Sequence, residues 1–147
     1  MPDKTLPLYF RLFNEIGIVE QLSRAMFEAR LPDGVLVSHF AVLNHLIRVE
    51  EGCTPLELAK AFQMPKTTMT HVLGQLEKRA WIEMRPNAQD KRSKRIWTTQ
   101  AGRSFRDDAI GALAPELFDV AGAFPAEQVA PLVEALEALR IWMDARR

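Results

Sequence analysis

Two short runs of residues carry the chemistry in this sequence. Lys66, Thr67, Thr68, Thr70, His71 and Gln75 set a cation, three hydroxyls, an imidazole and a carboxamide along one stretch. Lys91, Arg92, Lys94 and Arg95 pack four cations close together. Hydroxyls and carboxamides on a helix face reach base edges or phosphate oxygens, and a lysine beside them pairs with phosphate. A helix N-terminus adds a positive dipole end that favours an anion. Arginine suits a narrow minor groove, where negative potential concentrates. Asp90 is placed among the cations to hold Arg92 or another Arg through a bidentate pair. Such groups suit double-stranded DNA; taken singly, the first run also fits a solvated helix face and the second a solvated charged loop.

Net charge over the 147 residues is zero, with 19 basic and 19 acidic side chains. The distribution rescues the reading. Residues 78–106 hold nine Lys/Arg against Glu83 and Asp90, whereas residues 107–147 hold three Arg against eight acids. A polyanion is drawn to the first region and repelled by the second. At 48% hydrophobic residues the chain can build a core. No stretch of apolar residues is long enough to span a membrane. A single cysteine, Cys53, excludes an internal disulfide, and the opening residues do not read as a secretory signal. A cytoplasmic location is therefore expected.

The two runs need elements to hold them. Residues 7–29 place Leu8, Leu12, Ile16, Val19, Leu22 and Met26 on one helix face, widened by Tyr9, Phe13 and Phe27. After a turn at Leu31-Pro32-Asp33-Gly34, Ser38 is a candidate N-cap for a second helix that ends near Gly52. Thr54-Pro55-Leu56-Glu57 has the form of a capping box with proline in first position. It opens a short helix to about residue 62. Beyond the break at Gln63-Met64-Pro65, a fourth helix runs to about residue 79, with Met69, Val72, Leu73 and Leu76 inward. Two short helices joined by a tight turn make a helix-turn-helix.

Residues 81–84 and 95–98 favour strands, and the polar stretch between them makes a hairpin with a basic tip, a wing. Thr99 caps a helix over 100–121 that Pro115 kinks or splits. The last helical pattern covers 125–146 and contains an awkward Pro131. The predicted fold is mainly α with a small two-stranded β-wing. It forms a single domain over 1–147, with a winged helix-turn-helix over about 36–99 and a connecting helix over about 100–121. The terminal helices, about 7–29 and 125–146, have more apolar surface than one small core needs, which favours dimerisation over packing on each other within one chain.

The stretch DKRSKRIWTTQAG, residues 90–102, resembles the wing signature of the MarR (multiple antibiotic resistance regulator) family. That signature is Asp, any residue, Arg, then after a fixed gap Leu-Thr, and Gly three residues past the Thr. Asp90, Arg92, Thr99 and Gly102 fall on it, and Thr98 stands where Leu is usual. The upstream TTMTHVLGQLEKRAWIEMRPNAQD resembles the family's recognition helix and wing entry, with Ala80-Trp81 in place of a more typical Gly-Leu. The resemblance implies a homodimer with interlocked terminal helices. Its recognition helices would enter successive major grooves of a pseudo-palindromic operator, with half-sites about one helical turn apart. It makes Arg92 the minor-groove residue and Asp90 its orienting partner. It also implies a transcriptional regulator, most often a repressor, that responds to a small aromatic or phenolic effector. Candidates for the effector pocket are Phe13, His39, Leu43, His45 and Phe118.

Nothing in the sequence suits an enzyme: no Ser/His/Asp or Cys/His grouping, no phosphate-cradling glycine loop and no metal-ligand spacing. His39 and His45, six positions apart, fall on different helix faces. No metal or cofactor is expected. Two alternatives stand beside the main reading. One is a winged-helix module that binds protein, against which the basic wing tip argues. The other is a redox-sensing regulator acting through Cys53, whose thiolate the start of the Thr54 helix would favour and Glu50 and Glu51 would oppose.

Overall fold

The computed structural model describes residues 3–147; Met1 and Pro2, the first positions of the expected domain, lie outside the described residues. In chain order the elements are α1 (Thr5–Glu28), α2 (Val37–Arg48), α3 (Pro55–Ala61), α4 (Lys66–Lys78), β1 (Ile82–Pro86), β2 (Lys94–Thr98), α5 (Gln100–Ala112), α6 (Ala114–Ala123) and α7 (Ala126–Asp144). The chain divides into two compact units, one ending at Ala112 and the other beginning at Leu113.

In the first unit, the helical periodicities converge on one core. Leu43 and Leu46 of α2, Leu58 of α3, Met69, Leu73 and Leu76 of α4 and Ile96 of β2 are all fully buried. Burying each such side chain is worth about 1.5–3 kcal/mol, so this cluster holds the helix-turn-helix and the base of the hairpin together. A second cluster, Leu31, Val35, Phe40 and Ala109, is flanked by Phe27, Trp81 and Phe105. There the Phe27 ring meets Phe40 edge-on at 4.6 Å, and Trp81 stacks on Phe105 at 3.7 Å.

Helix boundaries follow local chemistry. The Thr54 hydroxyl accepts the Glu57 amide at 3.2 Å with Pro55 in the first turn, which is the threonine half of the expected capping box. The expected cap at Ser38 is displaced. Leu36 is the N-cap of α2, and its own amide donates to Nδ1 of His39 at 3.1 Å. Both helices of the helix-turn-helix stop in the same way. Gln63 (φ 49°) follows α3 and Ala80 (φ 60°) follows α4 in left-handed conformations. Around Gln63 the amides of Gln63 and Met64 return to the carbonyls of Lys60 and Ala59. Around Ala80, those of Ala80 and Trp81 return to Glu77 and Leu76. This is the Schellman pattern, normally built on glycine.

β1 and β2 pair antiparallel, with Met84 opposite Ile96. Thr99 joins the end of the wing to the next helix. Its hydroxyl donates to the Ala80 carbonyl at 2.7 Å and accepts the Gly102 amide at 3.0 Å. Gly102 lies flat against the Trp81 backbone, and a Cβ there would collide with the Trp81 carbonyl. The Thr and Gly of the wing signature thus have a packing reason.

The segment 100–121 is split, the second of the two outcomes expected from Pro115. α5 ends at Ala112, and Pro115 sits in the first turn of α6, where its missing N–H costs nothing. In the second unit, Pro125 caps α7, which runs on through Pro131. Arg146 lies 3.6 Å over the Trp142 ring. No helix among the described residues is long and apolar enough to cross a membrane.

Candidate nucleic-acid interface

α4 buries Met69, Val72, Leu73 and Leu76, which turns the rest of its first turns outward. Lys66, Thr67, Thr68, Thr70 and His71 are exposed, and Gln75 is half-buried. The Thr70 hydroxyl donates to the Lys66 carbonyl at 2.9 Å, which leaves its lone pairs pointing outward as acceptors.

The wing tip is built by two side chains that bond their own backbone. Asn87, 7% exposed, accepts the Gln89 amide at 3.0 Å. Asp90 accepts both the amide of Arg92, at 3.0 Å, and its Nε, at 3.2 Å, through the same oxygen. These bonds from Arg92, the backbone one foremost, hold the Asp90 carboxyl below its ordinary value, with Lys66 adding to the effect. The Arg92 side chain is otherwise 92% exposed. Aspartate and arginine therefore form a preset geometry with the guanidinium projecting into solvent.

Between these elements lies a cleft of about 510 Å³, lined by Thr54, Pro55 and Leu56 from the start of α3, Lys66 and Thr70 from α4, and Asn87, Asp90, Arg92, Ser93 and Lys94 from the wing. The two runs singled out by residue type thus meet across one concavity. Lys91 is exposed on the wing but is not among the lining residues.

Arg95 behaves differently from its neighbours. It is half-buried, donating to the Gly52 carbonyl at 2.9 Å and to Gln89 Oε1 at 3.1 Å. These bonds brace the wing from inside. Its strand register explains the difference: Arg95 lies in β2 opposite Arg85, whereas Arg92 lies in the turn. Glu51, Arg103 and Arg79 escaped the sequence reading. Arg79 ties the end of α4 to the Asp33 carbonyl at 2.8 Å. Glu51 accepts from Thr98 and Arg103; Thr98, where Leu was usual, was the one signal for it.

The effector-pocket candidates face different neighbours. Leu43 is fully buried in the core. His39 is 6% exposed at the start of α2, and His45 meets the Phe62 ring edge-on at 5.3 Å. Phe13 on α1 is 45% exposed, and Phe118, in the second unit, is 75% exposed.

Cys53 is buried, and its thiol donates to the Glu50 carbonyl at 3.1 Å. Burial, then the Glu50 and Glu57 carboxylates, push it up to about 11. Burial and the two carboxylates outweigh the helix-start effect that would favour a thiolate.

A three-helix core whose third helix turns an exposed face outward, with a basic hairpin beside it, is a winged helix-turn-helix. The MarR family model matches residues 33–93. Wild-type MarR from E. coli superposes with a TM-score of 0.74 at 25% identity, covering 87% of this chain and 95% of that one. A cysteine-to-serine mutant of that protein, solved with operator DNA, matches at 0.70 and 23% identity over 95% and 98% of the two chains. A MarR transcriptional regulator from Methanosarcina mazei has the same fold, at 0.81 and 18% identity over 92% and 98%. Over residues 33–93 the chain is similar to the MarR family, and it shares the winged-helix fold of these structures. Its fold is the DNA-binding fold found in the MarR transcriptional regulators.

Proposed function

We propose that the protein is a sequence-specific, homodimeric DNA-binding repressor that a small effector releases from its operator. The observation that carries this reading is the shared cleft: Lys66 and Thr70 on the recognition helix face Arg92 and Lys94 on the wing. In the complex, Thr67, Thr68, His71 and Gln75 address base edges, and Lys66, Lys91 and Lys94 neutralise phosphates. Arg92, steered by Asp90, enters the minor groove. Arg95 contributes by bracing the wing through Gly52 and Gln89.

The dimer is supported by apolar surface left uncovered in one chain. Leu8, Phe10, Val19 and Leu22 of α1 are each more than half exposed, as are Leu132, Val133 and Trp142 of α7. Exposed apolar area of this kind marks an interaction surface. A second copy covers it, and two-fold symmetry then dictates a pseudo-palindromic site. The effector is a small aromatic or phenolic compound that acts through Phe13, His39, Leu43, His45 or Phe118, and the protein works in the cytoplasm.

Selection of bound duplexes from random DNA, followed by anisotropy titration at several salt concentrations, tests this reading. A symmetric site should emerge, with affinity falling steeply as salt rises. An asymmetric or absent site, or a salt-independent affinity, would overturn it.

A further inference from the structure

β2 is held along both edges. β1 pairs with one. The loop joining α2 to α3 takes the other, and four consecutive β2 residues hold it. Arg95 donates to the Gly52 carbonyl at 2.9 Å. The Ile96 amide donates to the Cys53 carbonyl, and the Gly52 amide to the Ile96 carbonyl, both at 2.8 Å. The Trp97 ring packs on Gly52 so closely that an added Cβ would lie 3.0 Å from it. At the end of the strand, Glu51 Oε1 accepts the Thr98 amide at 3.2 Å, the Thr98 hydroxyl, and Nη2 of Arg103 on α5 at 2.7 Å.

Three donors converge on one carboxylate oxygen where loop, wing and α5 meet. The Glu51 side chain is 25% exposed, so these bonds are partly screened from water and stronger than those of a surface pair. The residue is outside the cleft and carries the wrong charge to meet DNA. Its position gives it leverage. Lys94, where β2 begins, is four residues from Thr98, about 13 Å along the strand at roughly 3.3 Å per residue, and Arg92 lies beyond it in the turn, so a rotation of some 10° at the base moves the tip by about 2 Å or more. A displacement of that size is enough to lose a minor-groove contact.

We infer that Glu51 is a positioning residue for DNA binding: by clamping Thr98 and Arg103 it sets the pose of the wing, and so the reach of Arg92 and Lys94, without touching DNA. The inference rests on the proposal that the wing contacts DNA.

A double-mutant cycle on a selected operator duplex tests it, using Arg92→Ala, Glu51→Ala and the double variant. Glu51→Gln is the conservative control, because it keeps an acceptor for Thr98. Glu51→Ala should weaken binding about tenfold in the parent but less than about twofold once Arg92 is gone, since the wing contact it positions is already lost. Glu51→Gln should recover most of the affinity. If Glu51→Ala folds poorly, Thr98→Val, which removes only the hydroxyl donor, takes its place in the cycle with the same expected coupling. Equal losses with and without Arg92, the pattern of a merely structural role, would overturn the inference. Should Arg92→Ala itself bind as the parent does, the wing reading fails and this inference with it, an outcome separate from the first.

Discussion

The amide of Trp81 donates to the carbonyl of Leu76 at 3.1 Å, closing α4 over an alanine held at a positive φ of 60°. A left-handed non-glycine residue costs about 1–2 kcal/mol, because Cβ crowds the following carbonyl. Ala80→Gly removes that crowding and keeps the Ala80 carbonyl as acceptor for Thr99. Part of the gain is offset by the greater freedom of glycine in the unfolded chain. The urea midpoint should rise by a stabilisation of about 0.5–1 kcal/mol, with DNA affinity unchanged. A lower midpoint would mean that the turn relies on the alanine methyl.

The wing and the recognition helix should respond differently to substitution. Arg92 projects into solvent with Asp90 as its partner, so Arg92→Ala should leave stability within about 0.5 kcal/mol of the parent. The same change should weaken operator binding by roughly 1–3 kcal/mol. Lys94→Ala should weaken binding to all duplexes alike, whereas His71→Ala and Gln75→Ala should relax preference at particular base positions. Titrations against a panel of operator variants separate these outcomes. A uniform loss for His71→Ala and Gln75→Ala would displace them from base reading.

Stability should fall on mild acidification. His39 Nδ1 accepts an amide proton, which only a neutral ring can do. Burial foremost, then the charges of His71 and Arg79, lower its pKa against the opposing pull of Glu28. His45 is lowered as well, mainly by burial, with Arg48 adding and Glu50 opposing. In the unfolded chain both rings titrate near 6.5, so the unfolded state takes up protons first as pH drops. Their contribution to stability is complete above about pH 6.5 and is lost as pH falls through that value toward the lowered folded pKa values. Urea titrations at pH 7.5 and 5.5 check this, and equal midpoints would contradict it.

Cys53 should be inert in the native protein. With the thiol pushed up to about 11 and the side chain buried, almost no thiolate is available near neutrality. Labelling with an aromatic disulfide reagent at pH 7.5 should be slow until urea unfolds the chain. Rapid labelling of the folded protein would restore Cys53 as a redox candidate.

The helices, the capped start of α3 and the existence of a basic hairpin are readable from residue order alone. Each of these is written in local terms: apolar spacing, a Thr-Pro-x-Glu start, or turn residues between strand formers. Residue order also marked Asp90 and Arg92, because two residues in one tight turn bond each other whatever the rest of the chain does. It misplaced the α2 cap at Ser38, because the ring that caps the Leu36 amide belongs to a histidine and carries no capping signature. Both left-handed helix stops were hidden, since glutamine and alanine announce no such conformation. Packing chose which cations project from the wing. Arg92 and Arg95 are three residues apart and chemically identical, yet one projects from the tip and the other is turned inward onto Gly52, 43 positions earlier in the chain. Glu51 likewise acquires its donors from Thr98 and Arg103, 47 and 52 positions away. Pairings over such separations depend on how the loop, the strand and the helix pack together, and no local pattern of residues encodes them.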